Sequence, residues 1–189
     1  MTQKPFDPFI SELKKWNKSI NLVQENTINE LEKRHILDSL ELKPHIDFLT
    51  DTILDIGSGA GFPGLVLAIE GAKNSHLVEP NGKKVVFLNH IKQLYNLPIV
   101  VHHCRWQQLT SVKPTVVTSR AFAPLSELLE IINFVSRETN STRGVFLKGK
   151  KIQEEVLEAQ KKWNFKIEIF KNSTSEDGCV VKIWGVHKK

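Results

Sequence analysis

The sequence predicts an α/β fold. It has a Rossmann-like, mostly parallel seven-stranded sheet with helices on both faces, behind an N-terminal helical extension. Three observations predict it. From residue 52 onward, short apolar runs alternate with helical patterns. The first run, Thr52-Ile-Leu-Asp-Ile56, enters a glycine-rich turn. The last two, Phe165 to Phe170 and Val180 to Val186, follow each other with no helix between them. They therefore add an antiparallel strand to a sheet that right-handed crossovers otherwise make parallel.

Each element carries its own signal. Phe6, Phe9, Ile10, Leu13, Trp16 and Ile20 recur at spacings of three and four, an amphipathic helix whose Trp16 is expected to pack on the sheet. Asn26 or Thr27 is placed to cap a second helix, through Ile28, Leu31 and His35, that stops by Pro44. Further strands are expected at 75–79, 99–101, 115–119 and 144–147, and helices at 62–70, 82–95, 125–135 and 151–162. At 189 residues the chain fits one domain, with 1–51 as the helical extension and 52–189 as the sheet-bearing core. No repeat, linker or low-complexity tract interrupts it.

The strongest local signal is Asp55-Ile-Gly57-Ser-Gly59-Ala-Gly61-Phe-Pro63-Gly64. Glycines let a chain turn tightly after a strand and approach a ligand closely. The next strand ends in Glu79, about 20 residues on, where a carboxylate can accept both ribose hydroxyls of a nucleoside. The turn also holds a literal G-x-G-x-x-G at Gly59, Gly61 and Gly64, so a dinucleotide-binding module stays open. Two features favour S-adenosylmethionine. The chain is short for a dehydrogenase with its own substrate domain, and Asp55 suits a cationic methionine moiety better than a pyrophosphate.

With Lys15-Trp-Asn-Lys-Ser-Ile-Asn-Leu22, Arg34-His-Ile-Leu-Asp-Ser39, the glycine turn, Thr118-Ser-Arg-Ala-Phe-Ala-Pro-Leu125 and Leu147-Lys-Gly149, the sequence resembles the bacterial 16S rRNA guanine-N7 methyltransferase G family. The resemblance runs from about Leu13 to the C-terminus. It implies a class I methyltransferase fold, S-adenosylmethionine as methyl donor, and a guanine of the decoding-region loop of 16S rRNA as target. Position by position it implies a cofactor loop at Gly57, Gly59 and Phe62, adenine contacts at Trp106 and Gln107, and a pocket arginine at Arg120. It also turns Arg34 and His35 toward the substrate. Lys148, after the fifth strand, is a candidate phosphate contact. The sequence departs from the family at Phe62, more often leucine, at Gln107, usually glutamate, and at Asp177, where relatives often carry a basic residue.

No acid–base pair or catalytic triad is evident, and none is needed. Guanine N7 carries an unprotonated lone pair, so transfer depends on proximity and orientation. Arg120 is the best candidate for a catalytic role, by positioning; otherwise no catalytic residue is assigned. The net charge of +5 is uneven: residues 1–51 carry 7 Lys/Arg against 9 Asp/Glu, and residues 120–189 carry 13 against 9. The basic excess suits RNA phosphates, and residues 120–189 are expected to carry that contact. Two isolated cysteines, Cys104 and Cys179, make neither a disulfide framework nor a metal site. No apolar run approaches the ~20 residues of a membrane span, and Met1-Thr2-Gln3-Lys4-Pro5, without an apolar stretch, leads us to expect no secretory leader. A cytoplasmic monomer acting on 16S rRNA, in the small subunit or its assembly intermediate, is the expectation. A methyltransferase for another substrate is the alternative.

Overall fold

The computed structural model describes residues 5–120, 122–137 and 142–189. Residues 1–4, on which the reading of the leader rests, and Ala121 of the Ser-Arg-Ala motif lie outside the described residues.

The chain begins with α1 (Asp7–Asn17), which buries Phe9 and Leu13. The expected second helix is not continuous. A 3-10 stretch (Glu25–Glu30), a π-helical turn (Glu32–Leu37) and the short α2 (Asp38–Leu40) replace it. Thr27 does not cap a helix; its hydroxyl is buried against Gln24 and His35. Among the described residues seven strands follow: β1 (Ile53–Ile56), β2 (Ser75–Val78), β3 (Ile99–His102), β4 (Val116–Arg120), β5 (Arg143–Lys148), β6 (Trp163–Lys171) and β7 (Cys179–Lys188). Between them lie α3 (Gly64–Ile69), α4 (Gly82–Tyr95), α5 (Leu125–Val135) and α6 (Ile152–Ala159).

The sheet order is β3-β2-β1-β4-β5-β7-β6. β1 to β5 run parallel, and β7 is antiparallel to both β5 and β6. Every residue of β1 is buried, as expected of a central parallel strand covered on both faces. Leu54, Val117, Phe146 and Val181 meet α5 and α6 on one face. On the other, Phe9, Leu13, Leu65, Phe87 and Ile91 join α1, α3 and α4. Trp16 packs on Phe87 and His90 of α4, at centroid distances of 5.6 and 5.2 Å, against the cluster that covers this face of the sheet.

α4 starts where the Asn81 side chain accepts the N–H groups of Lys83 and Lys84, a satisfied N-cap. It stops at Asn96, whose φ of 49° is left-handed. Between β3 and β4 only a 3-10 turn, Trp106–Gln108, stands in place of a crossover helix. That leaves the strand ends open beside Trp106.

Candidate active site

The carboxyl ends of the parallel strands border two cavities. The smaller, ≈ 220 Å³, is walled by Gly57, Pro80, Cys104, Trp106, Gln107 and Glu127, among others. The larger, ≈ 1130 Å³, is a cleft between the Glu25–Leu37 segment, the ends of β4 and β5, and the β6–β7 connection. Phe122 borders both. Ligands of open α/β sheets bind at these strand ends.

The glycine turn is held from below by two carboxylates. Asp55 is fully buried. Its Oδ1 accepts from the Thr118 hydroxyl at 2.9 Å and its Oδ2 from the Gly64 N–H at 3.3 Å. A Cβ on Gly64 would lie 2.7 Å from Oδ2, so this approach requires glycine. Burial raises the Asp55 pKa to about 6, against the pull of its hydrogen bonds and Arg120. Asp55 is thus a brace for the turn, and it lines neither cavity. Glu79 accepts from Gly59 N–H through Oε2 and from Asn81 N–H through Oε1, both at 2.8 Å. It ties the glycine turn to the start of α4, and only its remaining lone pairs are left for ribose hydroxyls. Gly57, at φ +67°, faces Phe122 so closely that a Cβ there would lie 2.2 Å from Cδ2 of the ring.

Arg120 ends β4 and turns toward the N-terminal segment. Its Nη1 donates to the Arg34 carbonyl at 3.0 Å and lies 3.7 Å from Asp38 Oδ2. Its Nη2 donates to His35 Nδ1 at 2.6 Å, and its guanidinium stacks 4.9 Å above the Phe62 ring. The His35 ring stacks on the same Phe62 at 5.0 Å. Arg120 only donates, and the Thr27 hydroxyl donates to Gln24 O at 2.8 Å, so His35 Nε2 must donate to Thr27 Oγ1 across 3.0 Å. His35 is therefore neutral. Burial, and then the charges of Arg120 and Arg34, depress its pKa to about 4. Asp38 also accepts from Asn172 Nδ2 at 2.6 Å and Thr174 Oγ1 at 3.3 Å, which joins the β6–β7 connection to the cluster. Arg120 thus takes Asp38 and His35 as its side-chain partners, while Asp55 and Glu79 brace the glycine turn.

Lys148 does not extend into solvent. Its Nζ pairs with Glu155 at 2.6 Å and donates to Ala123 O at 3.0 Å, while Glu155 accepts from Leu125 N–H at 2.7 Å. These bonds fix the segment that carries Phe122.

Gly57, Trp106 and Gln107 thus line the smaller cavity, and Arg34, His35, Arg120 and Lys148 line the cleft. Phe62 lines neither; it supports Arg120 and His35. The sequence reading missed Phe122, Asp38 and Glu127. Phe122 stood inside a quoted motif, but nothing local marked it as the wall between two cavities. Among the described residues no group of three histidines, cysteines or carboxylates is arranged to hold a metal, and no helix is long and apolar enough to cross a membrane.

Comparison with known proteins decides the class. The family model for rRNA small subunit methyltransferase G (GidB) matches residues 2–178. The chain belongs to that family. The ribosomal RNA small subunit methyltransferase G of Rhodospirillum rubrum is 39% identical over 99% of this chain and 92% of its own length. That of Rickettsia felis is 38% identical over 93% and 90%. Among solved structures, magnesium protoporphyrin IX methyltransferase from Synechocystis, with S-adenosylmethionine bound, aligns with a TM-score of 0.57 at 15% identity, covering 93% of this chain and 96% of that one. A fibrillarin complex aligns at 0.59 and 15%, covering 80% and 81%. At such identities these structures share the fold. The class expected from the sequence, an S-adenosylmethionine-dependent methyltransferase of the G family, is borne out.

Proposed function

We propose that the chain methylates N7 of a guanine in the decoding-region loop of 16S rRNA, with the smaller cavity as donor niche and the cleft as acceptor site. One observation carries this reading: the two cavities meet at a single side chain, Phe122, beside the glycine turn. Donor and acceptor atoms brought to that boundary lie next to each other, which transfer by orientation requires. The residues fit the donor. Gly57 offers a face with no side chain, and Trp106 and Gln107 flank the niche that would take the nucleoside, with Glu79 beneath the turn. When bound, S-adenosylmethionine supplies a methyl group on a cationic sulfur, already activated for transfer.

The chain's own residues then have one task, to hold the base. N7 needs no proton removed, so the neutral His35 and the permanently charged Arg120 act as a fixed polar edge rather than as an acid–base pair. N7 of a paired guanine lies in the deep, narrow major groove of A-form RNA, so the target must sit in a loop or be extruded into the cleft. Lys33, Arg34 and Lys151 at the cleft supply charge for phosphates. Two of them come from the acidic N-terminal third, so the RNA contact extends beyond residues 120–189. The reading takes the chain as one methyltransferase domain, a cytoplasmic monomer that acts on the small subunit or an assembly intermediate.

The test is mass spectrometry of 16S rRNA nucleosides from cells with and without this protein, and from purified subunits incubated with it. A gain of 7-methylguanosine in the decoding region is expected. A different methylated nucleoside, or methylation of protein alone, would overturn the proposal.

A further inference from the structure

Resting on the smaller cavity as donor niche, we propose that Glu127 determines specificity for the methyl donor by accepting from the exocyclic amino group of its adenine. Three observations lead there. Glu127 lines that cavity, and among the described residues it is the only carboxylate that does. It is half-buried, in the first turn of α5; its N–H donates to Pro124 O, while its carboxylate makes no hydrogen bond or ion pair among the described residues. Its position is also fixed relative to Trp106, on the wall that would take the nucleoside. Leu125 and Leu128, on either side of it, share one apolar cluster with Trp106. Phe134, farther along α5, packs edge-on against the Trp106 ring at 5.5 Å. The Lys148–Glu155 pair anchors the helix start through Ala123 O and Leu125 N–H.

The chemistry is selective. An adenine amino group offers two N–H donors, and a carboxylate is the strongest side-chain acceptor for them. The niche's other ionic side chain, Arg105, can only donate. Gln107, exposed at the rim, is a neutral acceptor. A site built around this acceptor rejects a base that presents an oxygen at the same place, since two acceptors then face each other.

The experiment is calorimetric binding of S-adenosylhomocysteine and of its 6-oxo analogue, S-inosylhomocysteine, to the wild-type chain, Glu127→Gln and Gln107→Ala, each checked for folding by thermal melting. The wild type is expected to prefer the adenosyl ligand by about 100-fold or more. Glu127→Gln should bind the adenosyl ligand about 10-fold more weakly. It should bind the inosyl ligand better than the wild type does, because its amide N–H can donate to the 6-oxo group. Gln107→Ala should leave the preference in place. Equal weakening toward both ligands would put the carboxylate on the amino-acid end, which the two share, and overturn the assignment. So would an unchanged preference in Glu127→Gln. Failure of the wild type to bind either ligand would instead overturn the donor niche, and Glu127's role with it.

Discussion

Arg120 Nη2 donates to His35 Nδ1 across 2.6 Å, and this bond joins the end of β4 to a turn 85 residues earlier in the chain. The two side chains lie on one aromatic ring, Phe62, and share the wall of the cleft. The arginine's planar fork suits this place, because it donates to a carbonyl and to an imidazole at once.

Arg120→Lys is therefore expected to be nearly as damaging as Arg120→Ala, since one ammonium cannot reproduce both bonds and the stacking. Single-turnover methylation should fall by about 100-fold or more in both variants. Stability should fall by about 1.5–3 kcal/mol in the alanine variant. Asp38 keeps Asn172 and Thr174 as partners and so is not orphaned. Near-normal methylation by a folded Arg120→Ala chain would remove this residue from the active site.

His35 makes the fold sensitive to acid. Its folded pKa of about 4 lies below the ordinary 6.5. Between those values the unfolded chain binds the proton and the folded chain does not. Stability is thus fully present above about pH 6.5 and is lost as pH falls toward 4. His45, His76 and His102 are shifted the same way, chiefly by burial, and add to the slope. His35→Phe should be less stable at pH 7 yet lose less on acidification. Urea midpoints at pH 7 and pH 5 for both chains test it, and equal losses would assign the slope to the other histidines.

Asp55 works in the opposite direction. Its folded pKa of about 6 lies above the ordinary 3.8, so its contribution is present at low pH and is lost as pH rises from 3.8 to about 6. Asp55→Ala should nonetheless destabilise at pH 7. It leaves the buried Thr118 hydroxyl and Gly64 N–H unpaired, at about 1–3 kcal/mol each. Chemical denaturation measures the loss. A loss within error of zero would mean that the turn needs no brace.

Gly57→Ala adds two separable costs. A left-handed φ strains alanine by about 1–3 kcal/mol, and the new methyl group collides with Phe122. The half-exposed Phe122 ring can swing away, but only into the cavities that donor and acceptor need. S-adenosylhomocysteine affinity should therefore fall in Gly57→Ala, and the double variant with Phe122→Ala should recover part of the affinity without recovering the stability. Calorimetry and melting on the two chains distinguish the terms. No recovery of affinity would show that Phe122 does not control access to the niche.

RNA affinity should fall steeply with salt, with a slope reduced by about 0.7–0.9 on neutralising one phosphate-contacting lysine. Lys33→Gln and Lys151→Gln, both at the cleft, are the variants to compare in filter binding at several salt concentrations. Lys148→Gln should instead act mainly on activity, because its ammonium holds Glu155 and Ala123 O. Flat salt dependence would leave the basic rim as ordinary surface.

By itself the sequence determined the succession of strands and helices, the glycine turn after β1, and the acidic residue at the end of β2. Each is written in a short window: apolar periodicity, residues that permit left-handed φ, and spacing along one chain segment. Gly57 was legible in that turn and Arg120 at the end of its strand, whereas Trp106 and Gln107 were singled out only by the resemblance to the family. The tertiary structure alone decided what these residues do. Asp55 became a brace because the packing of β4 beside β1 put Thr118 against it. Arg120 found Asp38 and His35, rather than Asp55, because the N-terminal segment folds over the carboxyl end of the sheet. The expected second helix broke into 3-10 and π-helical turns there, placing His35 inward and the Arg34 carbonyl toward Arg120. Phe122 became a shared wall, and Glu127 a cavity-facing carboxylate, through the docking of α5 on Trp106 and the clamp from Lys148. Such contacts join residues tens of positions apart. Their partners are chosen by sheet order and side-chain packing, which local patterning does not encode.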